Sequence, residues 1–318
     1  MKKLAVWFFV LFLLPLVGAT QGCSDAGFCT MGAMKPDQPY NKRINLRLRS
    51  MDVSFYRGTT TLTPIVKSVT ADFSFSLNDR NSFQVKLPYQ WVDGRLAHTG
   101  GLGDISLCFT RNVYASDRFD INFSLGSKIP TNQSDLHDAD GRHLPMYYQT
   151  SLGTYDLISG ISLINRKWLF ATGIQVPLNQ NRNQFDWHNA EWQLTDLNER
   201  AYVQQYANAT SLRRGVDVML RAERNFRLAR FNCSFGLLPI YRIVADEYTN
   251  FKGIRSNANA AGDIGKGLAL SWIATAGYNF NVKSGIKLLV GHKITQRNFS
   301  PDGLTRELVM SFTYSYRF

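Results

Sequence analysis

The chain ends in a run whose side chains alternate in character, ELVMSFTYSYRF. Apolar or aromatic residues occupy every second position from Leu308 to Phe318, and mostly polar residues stand between them. A period of two residues places the two sets of side chains on opposite faces of a β-strand. The run therefore predicts a terminal strand with one apolar face and one mostly polar face.

Runs of the same kind recur along the chain. VTADFSFSL places Val69, Phe73 and Phe75 on one face, and SFQVKLPYQW and LALSWIATAGYNF alternate in the same way. Near 44–57 the apolar positions change parity after Leu48, which a β-bulge would explain. The connections alternate too, because short turns such as NDRN and NVKSG are followed by longer segments. Bacterial outer-membrane barrels have this asymmetry of short periplasmic turns and longer external loops.

Within a membrane, a sheet of this kind is stable only when it is closed. In hydrocarbon an unpaired backbone N–H or C=O costs several kcal/mol, and an open sheet edge exposes many of them. We therefore expect an all-β fold over residues 44–318: a closed antiparallel transmembrane β-barrel of about twelve strands, with about fourteen as the alternative. A soluble all-β domain is the competing fold.

The N-terminus indicates export to the outer membrane. MKK is followed by an apolar run and by the small residues VGA, so we expect a signal peptide over 1–19, cleaved after Ala19. An uncleaved anchor and lipidation of Cys23 are the alternatives. Residues 20–43 then form a short N-terminal segment, periplasmic or entering the barrel as a small plug.

The cysteines and the net charge limit which ligands and partners we expect for the chain. An oxidising compartment allows a disulfide between Cys23 and Cys29, whereas Cys108 and Cys233 lie in strand-like runs and are expected to be free thiols. No CxxC pair is present, so we expect no metal and no cofactor. The net charge of +12 is scattered along the chain, which favours a mixed-charge surface over nucleic-acid binding.

Charged residues on the polar faces of the predicted strands would point into the barrel. They could bind a solute or set the selectivity of a pore, or they could pair with one another inside a narrow barrel. These candidates are Arg47, Arg49, Asp72, Lys86, Asp104, Asp217, Arg221, Glu223, Lys287, Lys293 and Glu307.

Two predicted external loops carry candidate features of their own. DLHDADGRH, residues 135–143, combines Asp and His with a glycine, but its spacing departs from the EF-hand pattern, so a hydrated loop is favoured over a Ca²⁺ site. Loop 179–211 holds aromatic residues among Asn and Gln and could include a short helix within 190–206. It could fold over the mouth and bind ligand, or remain a polar surface loop.

Common enzyme motifs are missing: the sequence has no GxSxG, HExxH or GxxxxGK[ST]. His292 is expected on the outward face, where an outer-membrane hydrolase would need a serine partner that the sequence does not indicate. We therefore expect no catalytic residues. A phospholipid hydrolase and a structural or adhesive barrel remain the alternatives to a barrel that passes or binds small solutes.

At HTGGLGDISLCFTRNVY the sequence resembles a known family. Gly-Leu-Gly-Asp opening an alternating strand is similar to the outer-membrane proteins of the phenol-degradation meta-pathway family, relatives of the long-chain fatty acid transporter barrels. CSDAGFCTMGA resembles leaders of Bacteroidetes-type outer-membrane proteins. The resemblance implies passage of small hydrophobic or aromatic molecules through a barrel in outer-membrane lipid. The predicted strands are fewer, and the N-terminal segment shorter, than in the fatty acid transporters.

The last strand carries a second resemblance. With Tyr314, Tyr316 and the terminal Phe318, it is similar to the signal that the barrel assembly machinery of the outer membrane recognises. The resemblance implies that this machinery is a partner of the chain.

Overall fold

The computed structural model describes residues 31, 34, 35, 47–60, 62–259, 262–295, 297, 300–304 and 306–318. The predicted signal peptide 1–19, most of segment 20–43, the pair Cys23 and Cys29, and the side chain of Arg47 lie outside these residues. In the part of the chain that is described, no helix is long and apolar enough to cross a membrane.

Twelve antiparallel strands form one closed sheet, as the sequence predicts. Segments His98–Leu102 (β4) and Ile105–Ala115 (β5) count as one barrel strand, because both pair with Asn81–Asp93 (β3) on either side of a break at Gly103 and Asp104. The barrel elements are β1 (Arg47–Thr59), β2 (Ile65–Ser76), β3 (Asn81–Asp93), β4 (His98–Leu102), β5 (Ile105–Ala115), β6 (Phe119–Ile129), β7 (Asp156–Asn165), β8 (Trp168–Pro177), β9 (Asp217–Leu228), β10 (Phe231–Arg242), β15 (Gly267–Asn279), β16 (Ser284–Thr295) and β17 (Leu308–Arg317).

Closure comes from the pairing of the first strand with the last. Residues 50–59 of β1 lie opposite residues 308–317 of β17 in continuous register. The pairing of β1 with β2 shifts between Leu48 and Ser50, which confirms the bulge that the change of apolar parity predicts.

The alternating pattern also predicts a strand over 146–164, and this prediction is wrong over its first half, residues 146–155. Residues Met146–Tyr148 form a 3-10 turn whose three side chains are buried, and the strand begins only at Asp156. The apolar residues before Asp156 continue the pattern because they pack inside the mouth of the barrel rather than against lipid.

The outward face of the sheet carries an apolar belt. Large apolar side chains from every barrel strand are exposed on it, which a protein in water would avoid and a bilayer would cover. The belt rules out the soluble competitor and places the barrel in the outer membrane. Its members include Phe55, Val69, Tyr89, Leu102, Tyr114, Leu125, Ile161, Phe170, Leu220, Phe235, Leu268, Leu288 and Phe312.

Long loops cover the barrel at the end opposite the short turns. Loop 178–216 contains the short helices Ala190–Gln193 and Leu197–Val203, within the range where the sequence predicts one. Asp196 begins the second helix because its side chain accepts a hydrogen bond from the Glu199 N–H at 2.8 Å. The short strand pairs of loop 243–266 are β11 (Tyr248–Thr249) with β12 (Arg255–Ser256), and β13 (Ala258–Asn259) with β14 (Gly262–Asp263).

An aromatic core holds the external loops together, and we call it the outer cap. It joins loops 130–155 and 178–216 to the ends of β2 and β3, where Val66 and Val92 are buried. Hydroxyl contacts link Tyr148, Tyr202 and Tyr206 within it, at 3.4 Å and 2.8 Å from the Tyr206 oxygen. The cap consists of Val66, Val92, Leu144, Tyr147, Tyr148, Phe185, Trp192, Tyr202, Val203 and Tyr206.

Candidate functional site in the barrel lumen

Part of the N-terminal segment lies inside the barrel. Its described residues are Met31, Met34 and Lys35, which we call the lumen segment, and both methionines are fully buried. Two glycines of the wall make room for them. A Cβ atom on Gly160 would lie 2.7 Å from the Met34 sulfur, and one on Gly126 would lie 3.0 Å from the Met31 methyl carbon. The wall is therefore shaped to receive this segment.

Lys35 is held by two carboxylates of the opposite wall. Its Nζ donates to Asp52 at 2.8 Å and to Asp72 at 3.1 Å, from β1 and β2. Gln84 on β3 donates its amide to both oxygens of Asp72, at 2.9 Å and 2.7 Å. One ammonium group between two buried carboxylates is a strong anchor, because removing it leaves uncompensated charge.

A second contact fixes the segment on the other side of the lumen. The Arg221 guanidinium donates to the Met34 carbonyl at 3.4 Å, while its Nη2 lies 2.6 Å from Glu223. Both side chains project inward from β9 and are almost fully buried. Together with Lys35, these contacts stretch residues 34 and 35 across the interior.

Lys35 of the lumen segment lies where two cavities of the interior meet. The larger, about 650 Å³, lies toward the short-turn end, where Arg49, Asn78 and Arg317 line it. The smaller, about 160 Å³, lies deeper and is lined by residues such as Gln90 and Lys128. Lys35, Asp52 and Lys287 line both cavities. Movement of the lumen segment would therefore change the connection between them.

One side of the lumen is apolar, although barrel interiors are usually polar. We call this area the apolar patch. It extends over five neighbouring strands, from β7 to β10 and β15, and it contacts the buried methionines of the lumen segment. The patch consists of Ile158, Ile164, Leu169, Ala171, Met219, Leu238, Ile240 and Ile273.

Buried charges form a network near the long-loop end, centred on Arg242. Its guanidinium lies 2.7 Å from Asp217, 2.6 Å from Asp246 and 2.9 Å from Asp302. Arg214 extends the network, with its guanidinium 2.8 Å from Asp156. These side chains join β7, β9 and β10 to the external segments, so they hold the loops on the barrel.

The pKa values of two loop carboxylates of this network are shifted in opposite directions. Burial opposes ionisation of Asp302, but the neighbouring arginines outweigh it, and the pKa of Asp302 lies well below its usual range. Burial raises the pKa of Asp246, and the charge of Asp302 adds to the effect although Arg242 opposes it. The network therefore holds Asp302 firmly as the anion, and Asp246 takes up a proton more easily.

The break in the fourth barrel strand places Asp104 inside. Its carboxylate accepts hydrogen bonds from the Ser151 hydroxyl at 2.5 Å and from the Leu152 N–H at 3.1 Å, and Lys128 lies 3.5 Å away. Asp104 thus ties loop 130–155 to the wall. The glycines that precede Asp104 in the sequence lie at this attachment point.

The structure locates the other predicted lumen residues as follows. Asp72, Asp217, Arg221, Glu223 and Lys293 are buried in the interior. Lys86 and Lys287 line the smaller cavity, Arg49 is exposed at the short-turn end, and Glu307 is partly buried next to β17.

Sequence reasoning missed several charged residues of the interior. Asp52 lies on the inward parity of its strand and could have been found by alternation. Lys35, Arg214, Arg242 and Asp302 could not, because they lie outside the regular strands or at a strand end.

The remaining candidate residues are aromatic side chains and a histidine on the outward face, and two cysteines that form no disulfide. Tyr314 and Phe318 are exposed on the outward face, and the rings of Tyr316 and Phe318 are 5.1 Å apart. His292 also points outward, with its ring 5.8 Å from that of Trp272. Cys108 is buried in the lumen and Cys233 is exposed, and both are free thiols, as predicted. Recognition of the last strand by the assembly machinery stays a prediction.

These features define the class of the protein: it is an outer-membrane β-barrel whose lumen holds residues of its own N-terminal segment. Among solved structures it is similar to the COG4313 outer membrane channel from Pseudomonas putida F1, with 12% identity, 89% of this chain and 99% of that chain covered, and a TM-score of 0.60. That similarity supports the fold, a closed barrel of the type found in the outer membrane.

Two further solved barrels are more distant. The translocator domain of the autotransporter NalP from Neisseria meningitidis is 10% identical, with 89% and 90% of the two chains covered and a TM-score of 0.45. The CymD monoaromatic hydrocarbon channel is 10% identical, with 95% of each chain covered and a TM-score of 0.41. No protein-family model matches the chain, and no curated protein matches it by sequence.

Proposed function

We propose that the chain is an outer-membrane channel for small apolar or aromatic solutes. The observation that carries this proposal is the apolar patch, because a channel for hydrophilic solutes has no need of Leu238, Ile240 and Ile273 on its inner surface. The resemblance to the phenol-degradation meta-pathway barrels supports the same class of solute.

The strength of binding at such a patch suits transport. A small aromatic ring that buries roughly 100 Å² gains about 2.5 kcal/mol. That energy is enough to draw the solute into the barrel and small enough to let it leave, which is the condition for conduction. The charged residues of the facing wall would keep the rest of the path hydrated.

The path requires movement at two places. Lys35 of the lumen segment lines both cavities, and the outer cap covers the mouth at the long-loop end. The ion pairs of Lys35 hold the first barrier, and the packing of aromatic rings such as Trp192 holds the second. Opening of the path therefore requires the ion pairs of Lys35 to break and the aromatic packing of the outer cap to loosen.

The test uses intact cells, because apolar solutes cross a plain phospholipid bilayer unaided, whereas the lipopolysaccharide leaflet slows them. Cells that lack their major porins are given an apolar fluorescent probe, or a hydrophilic β-lactam followed by periplasmic hydrolysis. Expression of the chain should accelerate entry of the apolar probe. Leu238→Ser should reduce this gain, whereas Leu237→Ser, its lipid-facing neighbour, should preserve it.

Other outcomes identify the alternatives. Faster entry of the β-lactam alone would indicate a general porin. Release of fatty acid from phospholipid by the purified barrel would indicate a hydrolase. An expressed, folded barrel that changes entry of neither compound would favour a structural or adhesive role and overturn the proposal.

A further inference from the structure

A second site lies outside the lumen, in the external hairpin of residues 135–144. The Leu144 N–H donates to the Leu136 carbonyl and the Asp138 N–H donates to the Arg142 carbonyl, both at 3.0 Å. Between these bonds His137 and His143 lie directly opposite each other. Such a pair has the shortest cross-strand separation in an antiparallel ladder. The two imidazole rings are accordingly 4.4 Å apart.

A carboxylate completes the group. An oxygen of Asp135 lies 2.9 Å from Nδ1 of His143, and one ligand atom from each of Asp135, His137 and His143 lies within 4.8 Å of the others. Bonds of about 2.0 Å around a tetrahedral ion put neighbouring ligand atoms roughly 3.3 Å apart. His137 is exposed, so a turn of its ring closes the remaining distance.

Neighbouring groups fix the backbone of His143 and the carboxylate of Asp135. The Trp192 indole N–H donates to the His143 carbonyl at 3.1 Å, and the His143 N–H donates to Glu191 at 3.2 Å. The Gln184 N–H donates to Asp135 at 3.0 Å. Ligands held in this way lose little conformational entropy on binding, as a metal site requires.

The other charges of the loop are directed away from this group. Arg142 lies 2.7 Å from Asp138, 2.8 Å from Asp140 and 3.3 Å from Glu199. Its charge is therefore balanced by three carboxylates. The same contacts engage Asp138 and Asp140, in line with the sequence, which favours a hydrated loop over a Ca²⁺ site, and they leave a donor set of two nitrogens and one oxygen.

We propose that Asp135, His137 and His143 bind a zinc ion, with the fourth position taken by water. Two imidazoles and one carboxylate are a common ligand set for Zn²⁺, whereas Ca²⁺ and Mg²⁺ prefer oxygen ligands throughout. Because Trp192 and Gln184 of loop 178–216 donate hydrogen bonds to His143 and Asp135, zinc bound at these ligands also stabilises the closed external loops.

The experiment uses the full-length barrel in detergent, without an affinity tag that contains histidine, after removal of metals with a chelator. Calorimetric titration with Zn²⁺ should show one site per chain, and titration with Ca²⁺ should show none. Co²⁺ should give the visible absorption of a four-coordinate site without the sulfur-to-metal band that cysteine ligands would add. His137→Asn should weaken zinc binding by at least about tenfold, since one of three protein ligands is lost.

Matched controls come from the other histidines. His98 lies 3.1 Å from Asp93 and His188 lies 2.7 Å from Asp186, each a single His–Asp pair. His98→Asn and His188→Asn should leave zinc affinity unchanged. His137 is exposed, so its variant should keep the heat-modifiable migration of the folded barrel. Unchanged zinc affinity in His137→Asn, a calcium-selective site, or absence of zinc binding would each overturn the proposal.

Discussion

The side-chain oxygens of Ser54 and Thr313 lie 2.9 Å apart across the seam between β1 and β17. The two residues are opposite each other in the register that joins the first strand to the last. They are 259 positions apart in the sequence, so their contact exists only because the sheet closes. The pairings at the other seams of the barrel span much shorter stretches of chain.

Closure predicts a specific cross-link. In the double variant Ser54→Cys with Thr313→Cys, the two thiols should form a disulfide on mild oxidation, because opposed positions on paired strands lie near the range that the bond needs. The product should be a circularised barrel whose migration after boiling depends on reductant. The single variant Ser54→Cys serves as control. Two thiols that both stay reactive in the folded, oxidised protein would contradict closure at this register.

The outer cap should depend on its buried aromatic side chains. Trp192→Ala removes a fully buried side chain and should weaken the cap by about 3–5 kcal/mol. We expect limited proteolysis to cut loops 130–155 and 178–216 faster while the strands stay intact. Leu194→Ala, on the same loop with 86% of the residue exposed, should leave the rate unchanged. Equal rates in the two variants would show that the cap is not held by this core.

Removal of the Arg242 charge should strongly lower the thermal stability of the folded barrel. Arg242→Met leaves Asp217, Asp246 and Asp302 without their shared partner, and loss of one member of a buried ion pair costs about 3–5 kcal/mol. The temperature at which the compact band on a gel is lost should fall. Arg255→Met removes an exposed pair with Glu247, worth about 0–1 kcal/mol, and should change little.

Acid should loosen the same network in a defined range. Because the pKa of Asp302 is lowered in the folded protein, its contribution is present above the unfolded value of about 4 and is lost as the pH falls further. The raised pKa of Asp246 means that its protonation on acidification does not weaken the fold. Melting measured from about pH 7 down to about pH 2.5 should show a flatter acid decline for Asp302→Asn than for the wild type. Parallel declines would count against this assignment.

The alternation of apolar and polar residues was enough to predict the barrel, because neighbouring residues of one strand determine which face meets the lipid. Residues such as Val69, Phe73 and Phe312 face lipid, and their polar neighbours face the interior, so each strand carries its own orientation in the sequence. The parity change near Leu48 located even the bulge, since one extra residue reverses both faces.

The contents of the lumen could not be predicted in this way. The contacts of Lys35 with Asp52 and Asp72 join residues that no periodicity relates, and the carboxylates around Arg242 come from β9 and from two separate loops. The 3-10 turn at Met146 was mistaken for strand because residues buried in the outer cap are as apolar as residues facing lipid. Hydrophobicity reports burial or lipid contact without separating them.

We expect the lumen segment to close the route through the barrel, and the reactivity of Cys108 tests this directly. This thiol is buried in the lumen next to Met31, in the apolar core that both share. Lys35→Glu replaces the ammonium group by a third carboxylate beside Asp52 and Asp72, so repulsion should expel the segment. Lys167→Glu, on an exposed short turn, makes the same change of charge elsewhere.

The measurement is the rate at which a small water-soluble thiol reagent alkylates Cys108, followed by mass spectrometry of the peptide that contains it. We expect Lys35→Glu to raise this rate by roughly tenfold or more, since a loss of a few kcal/mol shifts the open population by at least that factor. Lys167→Glu should leave the rate unchanged. If Cys108 in folded Lys35→Glu protein stays as unreactive as in the wild type, the lumen segment does not close the route.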